Sequence, residues 1–231
     1  MSTDTAQLKQ QAAAFAVEFL ESGMVVGLGH GSTAIIAIGL IAEKIKAGRL
    51  ANILGVPCSL QAEEEARKFN IPLATLEDRP VIDITIDGAD EVDPQLNLIK
   101  GGGGALLREK IVAQASRREI IVADESKWVK ILGAKRPVPV EVIPFGWHSQ
   151  TTYLKSLGAR VTVRRNSNGS FFTTDQGNLI LDCHFGPIKD CRQLAGRIKE
   201  RAGIVEHGLF LGMATDVIIA GAKGVRHLKP Q

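Results

Sequence analysis

The order of apolar and polar positions divides the chain into alternating strands and helices. Residues 5–22 place Leu8, Ala12, Phe15, Phe19 and Leu20 on one side of a helical spacing, and Met24–Leu28 is a short apolar run read as a first strand. Ser32 opens a helix to about Ala47, with its hydroxyl as the cap. Ile53–Val56 reads as a second strand and Gln61–Phe69 as a charged amphipathic helix. Val81–Asp87 alternates β-branched residues ahead of a group of acids and reads as a third strand. Ala105–Ala115 is a helix behind four glycines, and Glu119–Ala123 is again a strand. Such alternation predicts an α/β fold: a mostly parallel sheet flanked by helices.

Near Pro137 the pattern changes. A β-like stretch, Val138–Ile143, stands among Pro137, Pro139 and Pro144. After it come a helix at about 146–157, strands near 160–165, 170–173 and 179–183, a helix at about 190–201 and a strand near 204–207. That order matches a split β-α-β-β-α-β unit of ferredoxin-like type, a smaller α+β domain. Residues 209–220 are apolar and lead into a turn at Gly221–Gly224, read as a return to the first domain. The expected organisation is an α/β domain over 1–135 and 208–231, with the α+β domain inserted at 136–207.

Composition narrows the classes of function. At 231 residues with 45% hydrophobic and 23% charged positions, the chain has room for a substantial core. A net charge of +3 without a long basic run gives no footprint for nucleic acid. Cys58, Cys183 and Cys191 are widely spaced and odd in number, which points away from a disulfide framework and towards a reducing, cytoplasmic setting. The start, Met1-Ser2-Thr3-Asp4, lacks the charged and apolar blocks of a signal peptide. Ser22–Ala42 contains no Asp, Glu, Lys or Arg, yet Gly27, Gly29, His30, Gly31, Ser32 and Thr33 interrupt it. It therefore reads as strand, glycine turn and helix, and not as a membrane span.

Four places carry candidate chemistry. Gly27-Leu28-Gly29-His30-Gly31-Ser32-Thr33 joins a strand to a helix, where free N–H groups and the positive end of the helix dipole suit a phosphate. It has no Gly-Lys-Ser/Thr, and no acid ends the second strand for a ribose hydroxyl, so a small phosphate ester is favoured over a nucleotide. Read without ligand, it is a tight capped turn. Asp87-Gly88-Ala89-Asp90-Glu91 puts acids at a strand's carboxyl end, where they suit sugar hydroxyls, proton transfer or a cation; the plain alternative is a solvated turn. The acids do not complete a calcium loop, and no His/Cys cluster suits zinc, so no metal is expected. Lys100-Gly101-Gly102-Gly103-Gly104 joins a cation, which suits an anionic ligand, to four glycines whose backbone entropy implies either a close approach to the backbone or a loop that moves. Glu109 follows one turn into the next helix, on the side of Ala105; as an ordinary helix charge it would be solvated. Asp124-Glu125-Ser126-Lys127 ends another strand, with an ordinary helix cap as its plain reading. Together these suit proton transfer beside a carbonyl in a phosphorylated substrate.

Asp87-Gly88-Ala89-Asp90-Glu91-Val92-Asp93, followed by Leu98-Ile99-Lys100-Gly101-Gly102-Gly103-Gly104-Ala105-Leu106-Leu107-Arg108-Glu109-Lys110-Ile111-Val112, resembles the signature of the type A ribose-5-phosphate isomerases. The loop Gly27–Ala34, Asp124–Lys127, Pro139–Pro144 and Asp175–Asp182 are similar to that family too, so the resemblance covers nearly the whole chain. The resemblance implies aldose–ketose isomerisation of ribose 5-phosphate and ribulose 5-phosphate through an enediolate, in the non-oxidative pentose phosphate pathway, without a cofactor or metal. It implies Glu109 as general base, Lys100 as the group that meets enediolate or phosphate charge, and Asp87 and Asp90 at ring opening and hydroxyl binding. Further substrate contacts fall on Gly31, Ser32, Thr33, Gly88, Ala89, Gly101, Gly102, Gly103 and Lys127. His30 also stands in the substrate loop, where family members usually have Thr; its imidazole either donates to the anion or turns away while the backbone binds. A homodimer or homotetramer is implied, with no nucleic-acid or membrane partner. Two other readings are an amino-sugar-phosphate isomerase-deaminase of similar fold and a non-catalytic sugar-phosphate sensor. The sensor would need a DNA-binding segment, and it would bind without turnover.

Overall fold

A computed structural model describes residues 5–230, so the reading of Met1–Asp4 lies outside the described residues. In chain order the elements are α1 (Thr5–Ala16), β1 (Val25–Leu28), α2 (Ser32–Lys46), β2 (Leu54–Pro57), α3 (Leu60–Lys68), β3 (Ile84–Gly88), β4 (Glu91–Val92), β5 (Leu98–Ile99), α4 (Leu106–Ala115) and β6 (Glu119–Asp124). They continue with β7 (Val138–Val142), α5 (Trp147–Ser156), β8 (Arg160–Val163), β9 (Leu179–His184), α6 (Cys191–Lys199), β10 (Ile204–His207), β11 (Leu209–Phe210), β12 (Asp216–Gly221) and β13 (Gly224–Leu228). The chain divides into two compact units. The first takes residues up to Ala89, Arg108–Trp128 and Gly212 onwards; the second takes Asp90–Leu107 and Val129–Leu211.

The first unit is built on a sheet in the order β13-β12-β6-β3-β1-β2, parallel throughout except for the edge strand β13. The apolar runs follow from this position. Every residue of β6 is buried, as a central strand covered on both faces requires. Each of Ile120, Ile121 and Val122 contributes about 1.5–3 kcal/mol through burial. One face packs Val26, Leu28, Ile84, Ile86 and Ile120 against α1 and α2. There Ala12, Ala13 and Ala16 keep α1 close to the strands. The other face packs Val56, Cys58 and Ile82 against Val112 of α4. Strand order runs outward in both directions from β1, to β2 on one side and β3 on the other. The carboxyl ends of β1 and β3 therefore meet where the order reverses, the usual ligand edge of an open α/β sheet. Ser22–Ala42 resolves into β1, a turn and α2, and no helix among the described residues is long and apolar enough to cross a membrane.

Two local expectations need correction. Residues 81–83 stay outside β3, because the Asp83 carboxylate accepts from Val25 N at 2.9 Å where a strand carbonyl would otherwise stand. Residues 170–173 form no strand. Arg165–Phe171 and Thr173–Leu179 are isolated bridges to different partners, so no ladder develops.

At the amino ends of the parallel strands a charge cluster joins three strands of the first unit. Arg118 donates to Asp216 from Nε at 2.7 Å and from Nη2 at 2.8 Å, Thr215 Oγ1 donates at 2.8 Å, and His227 Nε2 stands 2.6 Å from Oδ1. Burial alone would raise the Asp216 pKa. The hydrogen bonds from Arg118, His227 and Thr215 outweigh it and hold the carboxyl well below the usual range.

The second unit contains a four-stranded antiparallel sheet in the order β10-β7-β9-β8, the ferredoxin-like arrangement. Val138, Val140, Val142, Leu179, Leu181 and Cys183 form its core face with Leu154 and Ile198 of the two helices. A small sheet, β11-β5-β4, completes the unit. On the other face of the larger sheet, Glu141 is fully buried. Its Oε1 accepts from Thr174 Oγ1 and Asn178 Nδ2, each at 2.9 Å, while Oε2 has no hydrogen-bond partner among the described residues. Burial is the main cause that pushes its pKa up, against the two hydrogen bonds that lower it.

These two carboxylates give opposite pH signatures. Asp216 contributes stability that is complete above the ordinary carboxylate range and fades as pH falls. Asp216→Asn should cost at least about 1.5 kcal/mol at pH 7 in urea unfolding, and the deficit should shrink by pH 3; an unchanged deficit would remove charge as its source. Glu141 contributes stability below its ordinary value of 4.5 that is lost as pH rises through its raised value. The melting temperature of Glu141→Gln relative to the parent should therefore rise between pH 5 and pH 8, and a flat difference would contradict a strained carboxylate.

Candidate active site

In the first unit the site is built from the turn after β1. Gly29 lies so close to β3 that a Cβ would stand 2.5 Å from both the Asp87 Cα and the Ile86 carbonyl oxygen. This approach lets the Asp87 carboxylate accept from His30 N at 2.9 Å and from Gly88 N at 2.7 Å with the same oxygen. Gly31 has φ 92 with open space around it, so its requirement is conformational, and Ile35 N donates back to its carbonyl at 3.0 Å. Ser32 is thus the first helical residue of α2 and not its cap; Gly31 is the cap and supplies no side chain. Ser32, Thr33 and Ala34 carry the N–H groups that a helix start leaves without intrahelical acceptors.

Lys9 of α1 donates from Nζ to Ser32 Oγ at 2.9 Å, which adds a cation to this turn. The sequence reading missed it, since a lysine in an ordinary helix has no motif to mark it. His30 has a protein partner on one side of its ring. Its Nδ1 stands 3.0 Å from Ser59 Oγ, which also accepts from Ala62 N to cap α3. Lys127 lies half-buried in a short turn after β6, on the same carboxyl edge of the sheet, where Asp124 accepts from Ser126 N. Glu109 is the fourth residue of α4 and only 4% exposed, so the solvated-charge reading does not describe it.

In the second unit Asp90, Lys100 and the glycine loop come together. Asp90 N donates to Ile99 O at 2.8 Å, and the Asp90 carboxylate accepts from Gly102 N at 2.7 Å. Lys100 is 1% exposed; its N donates to Gly208 O at 2.9 Å and its Nζ stands 5.5 Å from the Phe210 ring centre. Gly101 and Gly104 have φ 95 and 94, and Gly104 N donates to Gly101 O at 3.0 Å to close the turn. A Cβ on Gly101, Gly102 or Gly104 would collide with Leu106, Asp90 or Phe172 respectively. Glu91 leaves the chemical candidates, because its two oxygens accept from Gly133, Lys135 and Arg136 N, each at 2.7 Å. Asp93 likewise holds a turn through Gln95 N and Asn97 N.

The structure thus gathers His30, Gly31, Ser32, Thr33, Asp87, Gly88 and Ala89 at one sheet edge with Lys127, and separately Asp90 with Lys100, Gly101, Gly102 and Gly103. Among the described residues, no three His, Cys, Asp or Glu side chains stand close enough together to hold a metal ion. The arrangement offers amides and cations for an anion, and carboxylates held by backbone donors.

Comparison with known proteins agrees with this chemistry. Residues 54–224 match the family model of ribose 5-phosphate isomerase A, also called phosphoriboisomerase A. The ribose-5-phosphate isomerase A of Desulfatibacillum aliphaticivorans is 59% identical over 222 residues, covering 96% of each chain. That of Chloroflexus aurantiacus is 53% identical over 227 residues, covering 98% of this chain and 95% of the relative. A solved D-ribose-5-phosphate isomerase in complex with phospho-erythronic acid superposes with a TM-score of 0.95 at 40% identity, over 98% of this chain and all of the other. With the family model matched over well over half its length and relatives this similar from end to end, the chain belongs to the ribose 5-phosphate isomerase A family.

Proposed function

We propose that this chain interconverts ribose 5-phosphate and ribulose 5-phosphate by moving one proton between adjacent carbons. The burial of Glu109, one turn inside the helix that follows the glycine loop, carries the reading. Starting from the open-chain aldose, Glu109 takes the proton from C2. The electrons of that bond form the C1–C2 double bond and the carbonyl oxygen becomes an oxyanion. The carboxyl then returns the proton to C1, while the C2 hydroxyl proton passes to the oxygen on C1 and leaves a ketone at C2. Hydrogen is neither gained nor lost overall, so the step calls for no redox cofactor.

The other residues divide by charge. The amides of Ser32 and Thr33, with Lys9 and Lys127, suit the phosphate. Asp87 and Asp90 each accept backbone N–H groups that orient their carboxylates, which supports a role as acceptors for sugar hydroxyls and in ring opening. Lys100, with the exposed Gly103 amide, suits the oxygens on which charge develops. Gly88, Ala89, Gly101 and Gly102 shape the backbone around these groups. The related structure with phospho-erythronic acid, a phosphorylated sugar acid, supports a substrate of this class. The amino-sugar deaminase and sensor readings gain no such support.

The chain also reads as a cytoplasmic homo-oligomer. Its cysteines are all free, and Phe145 is 87% exposed beside Trp147, whose ring meets that of Phe171. Light scattering should return two or four times the 24.8 kDa chain mass; a monomer would remove this reading.

Glu109→Gln keeps the shape of the side chain and removes its basicity. Turnover of ribose 5-phosphate should fall by at least about 10²-fold with KM little changed and the melting temperature near the parent's or above it. A variant that keeps a third of parental turnover would remove Glu109 from the mechanism and pass its role to Asp87.

A further inference from the structure

The glycine loop is held by a residue to which the isomerisation itself assigns no role. Arg164 stands just past β8, with its backbone pinned on both sides: its N donates to Ile180 O at 2.8 Å and its carbonyl accepts from Phe172 N at 3.1 Å. From there one guanidinium reaches in two directions. Nε and Nη2 engage both oxygens of Asp182, with Nε at 3.0 Å, and Nη1 donates to Gly101 O at 2.9 Å and Gly102 O at 3.0 Å. The side chain is 15% exposed. The ring of Phe172, whose N–H meets the Arg164 carbonyl, lies under the guanidinium with its centre 5.8 Å away and fills the space where a Gly104 side chain would stand.

Two successive peptides of a loop without side chains are thereby fixed. The Gly101–Gly102 peptide is held at both ends, its carbonyl by Arg164 and its N–H by Asp90. The Gly102–Gly103 peptide is held by its carbonyl alone. Because a trans peptide directs its N–H opposite to its carbonyl, a carbonyl fixed on Arg164 fixes the aim of the Gly103 N–H, which has no acceptor among the described residues. Four consecutive glycines would otherwise sample many orientations. A donor aimed in advance at developing charge is worth far more than one that must be ordered during the reaction.

We propose that Arg164, oriented by Asp182, is a positioning residue: it aims the Gly103 amide and sets the loop that begins at Lys100, without touching substrate itself. The inference rests on the sugar-phosphate isomerase reading above. Only a planar fork makes both sets of bonds at once, so lysine is not an adequate replacement. Asp90, Gly102, Arg164, Asp182 and His184 line an open groove of about 250 Å³ in the second unit, which gives solutes access to the position of the guanidinium.

The test compares Arg164→Ala, Arg164→Lys and Asp182→Asn with the parent. Turnover of ribose 5-phosphate should fall on the order of 10- to 10²-fold in both Arg164 variants and less in Asp182→Asn, with KM within about threefold. Free guanidinium should restore turnover in Arg164→Ala and leave Glu109→Gln unchanged. Hydrogen–deuterium exchange of the peptide spanning 100–107 should quicken in Arg164→Ala. Turnover within about twofold of the parent in folded Arg164 variants would overturn the proposal. So would guanidinium that restores melting temperature but not turnover. If Arg164→Ala does not fold, Arg164→Lys and Asp182→Asn decide on kcat and exchange, and parental values in both would overturn it. A parent without activity on ribose 5-phosphate would refute the isomerase reading instead, and unchanged exchange in the variants would refute the clamp whatever the substrate.

Discussion

Gly27 and Gly29 lack side chains because β3 already fills the space: Thr85 stands where a Cβ on Gly27 would go, and the Asp87 backbone where one on Gly29 would go. The rest of the candidate site follows from this close approach. It brings the Asp87 carboxylate against the turn after β1, where it takes the His30 and Gly88 amides, and so fixes the path of the chain into α2. The same approach falls where strand order reverses, so the start of α2 and the acids after β3 share one edge of the sheet. The second unit repeats the device with different partners. Gly101, Gly102 and Gly104 yield their space to Leu106, Asp90 and Phe172. Most of these glycines are required by what occupies the place of their missing side chains, and Gly101 and Gly104 by positive φ as well.

Much of the architecture was legible because burial on both faces writes itself into composition. Val25–Leu28, Ile84–Gly88 and Glu119–Asp124 stand in the first sheet close to where their apolar runs lie, and the split β-α-β-β-α-β order appears as the sheet β10-β7-β9-β8. What escaped has physical reasons. β4, β5 and β11 are two residues long, too short for any periodicity to register. Phe171 and Phe172 read as strand by residue type, but their rings pack while their backbone makes only isolated contacts. Ser32 looked like a cap because hydroxyls favour that position, yet the turn needs positive φ one residue earlier, and glycine takes the cap. In the site, glycine and acid motifs marked the backbone and the carboxylates. The long cations Lys9 and Arg164 reach their partners from helix and hairpin positions that no local spacing identifies.

The acids that look alike in sequence divide by what their oxygens accept. Glu91 gives both oxygens to three backbone amides and serves as a brace. Asp93 holds a turn, and Asp182 holds Arg164. Asp87 and Asp90 also accept backbone N–H groups, but those bonds fix the orientation of each carboxylate beside a turn that is suited to ligands. A carboxylate ordered in this way binds a hydroxyl with little further loss of side-chain entropy.

The two units interleave along the chain, and this has a consequence for how the protein acquires its structure. β6 lies between β3 and β12 in the parallel sheet, yet β3 precedes the first excursion into the second unit and β12 follows the last. Pairing β6 with β12 closes a loop from Asp124 to Asp216 that contains most of the other unit. During synthesis β3 gains both its neighbours, β1 and β6, but β6 waits with an unsatisfied strand edge until β12 emerges, while the antiparallel sheet from Val138 to His207 is complete in the nascent chain before β12 exists. Long loop closure slows folding and leaves apolar strand edges open to other chains. The last strands to be made, β12 and β13, are thus the ones that seal the central sheet, and the Arg118–Asp216–His227 cluster can form only at that final step.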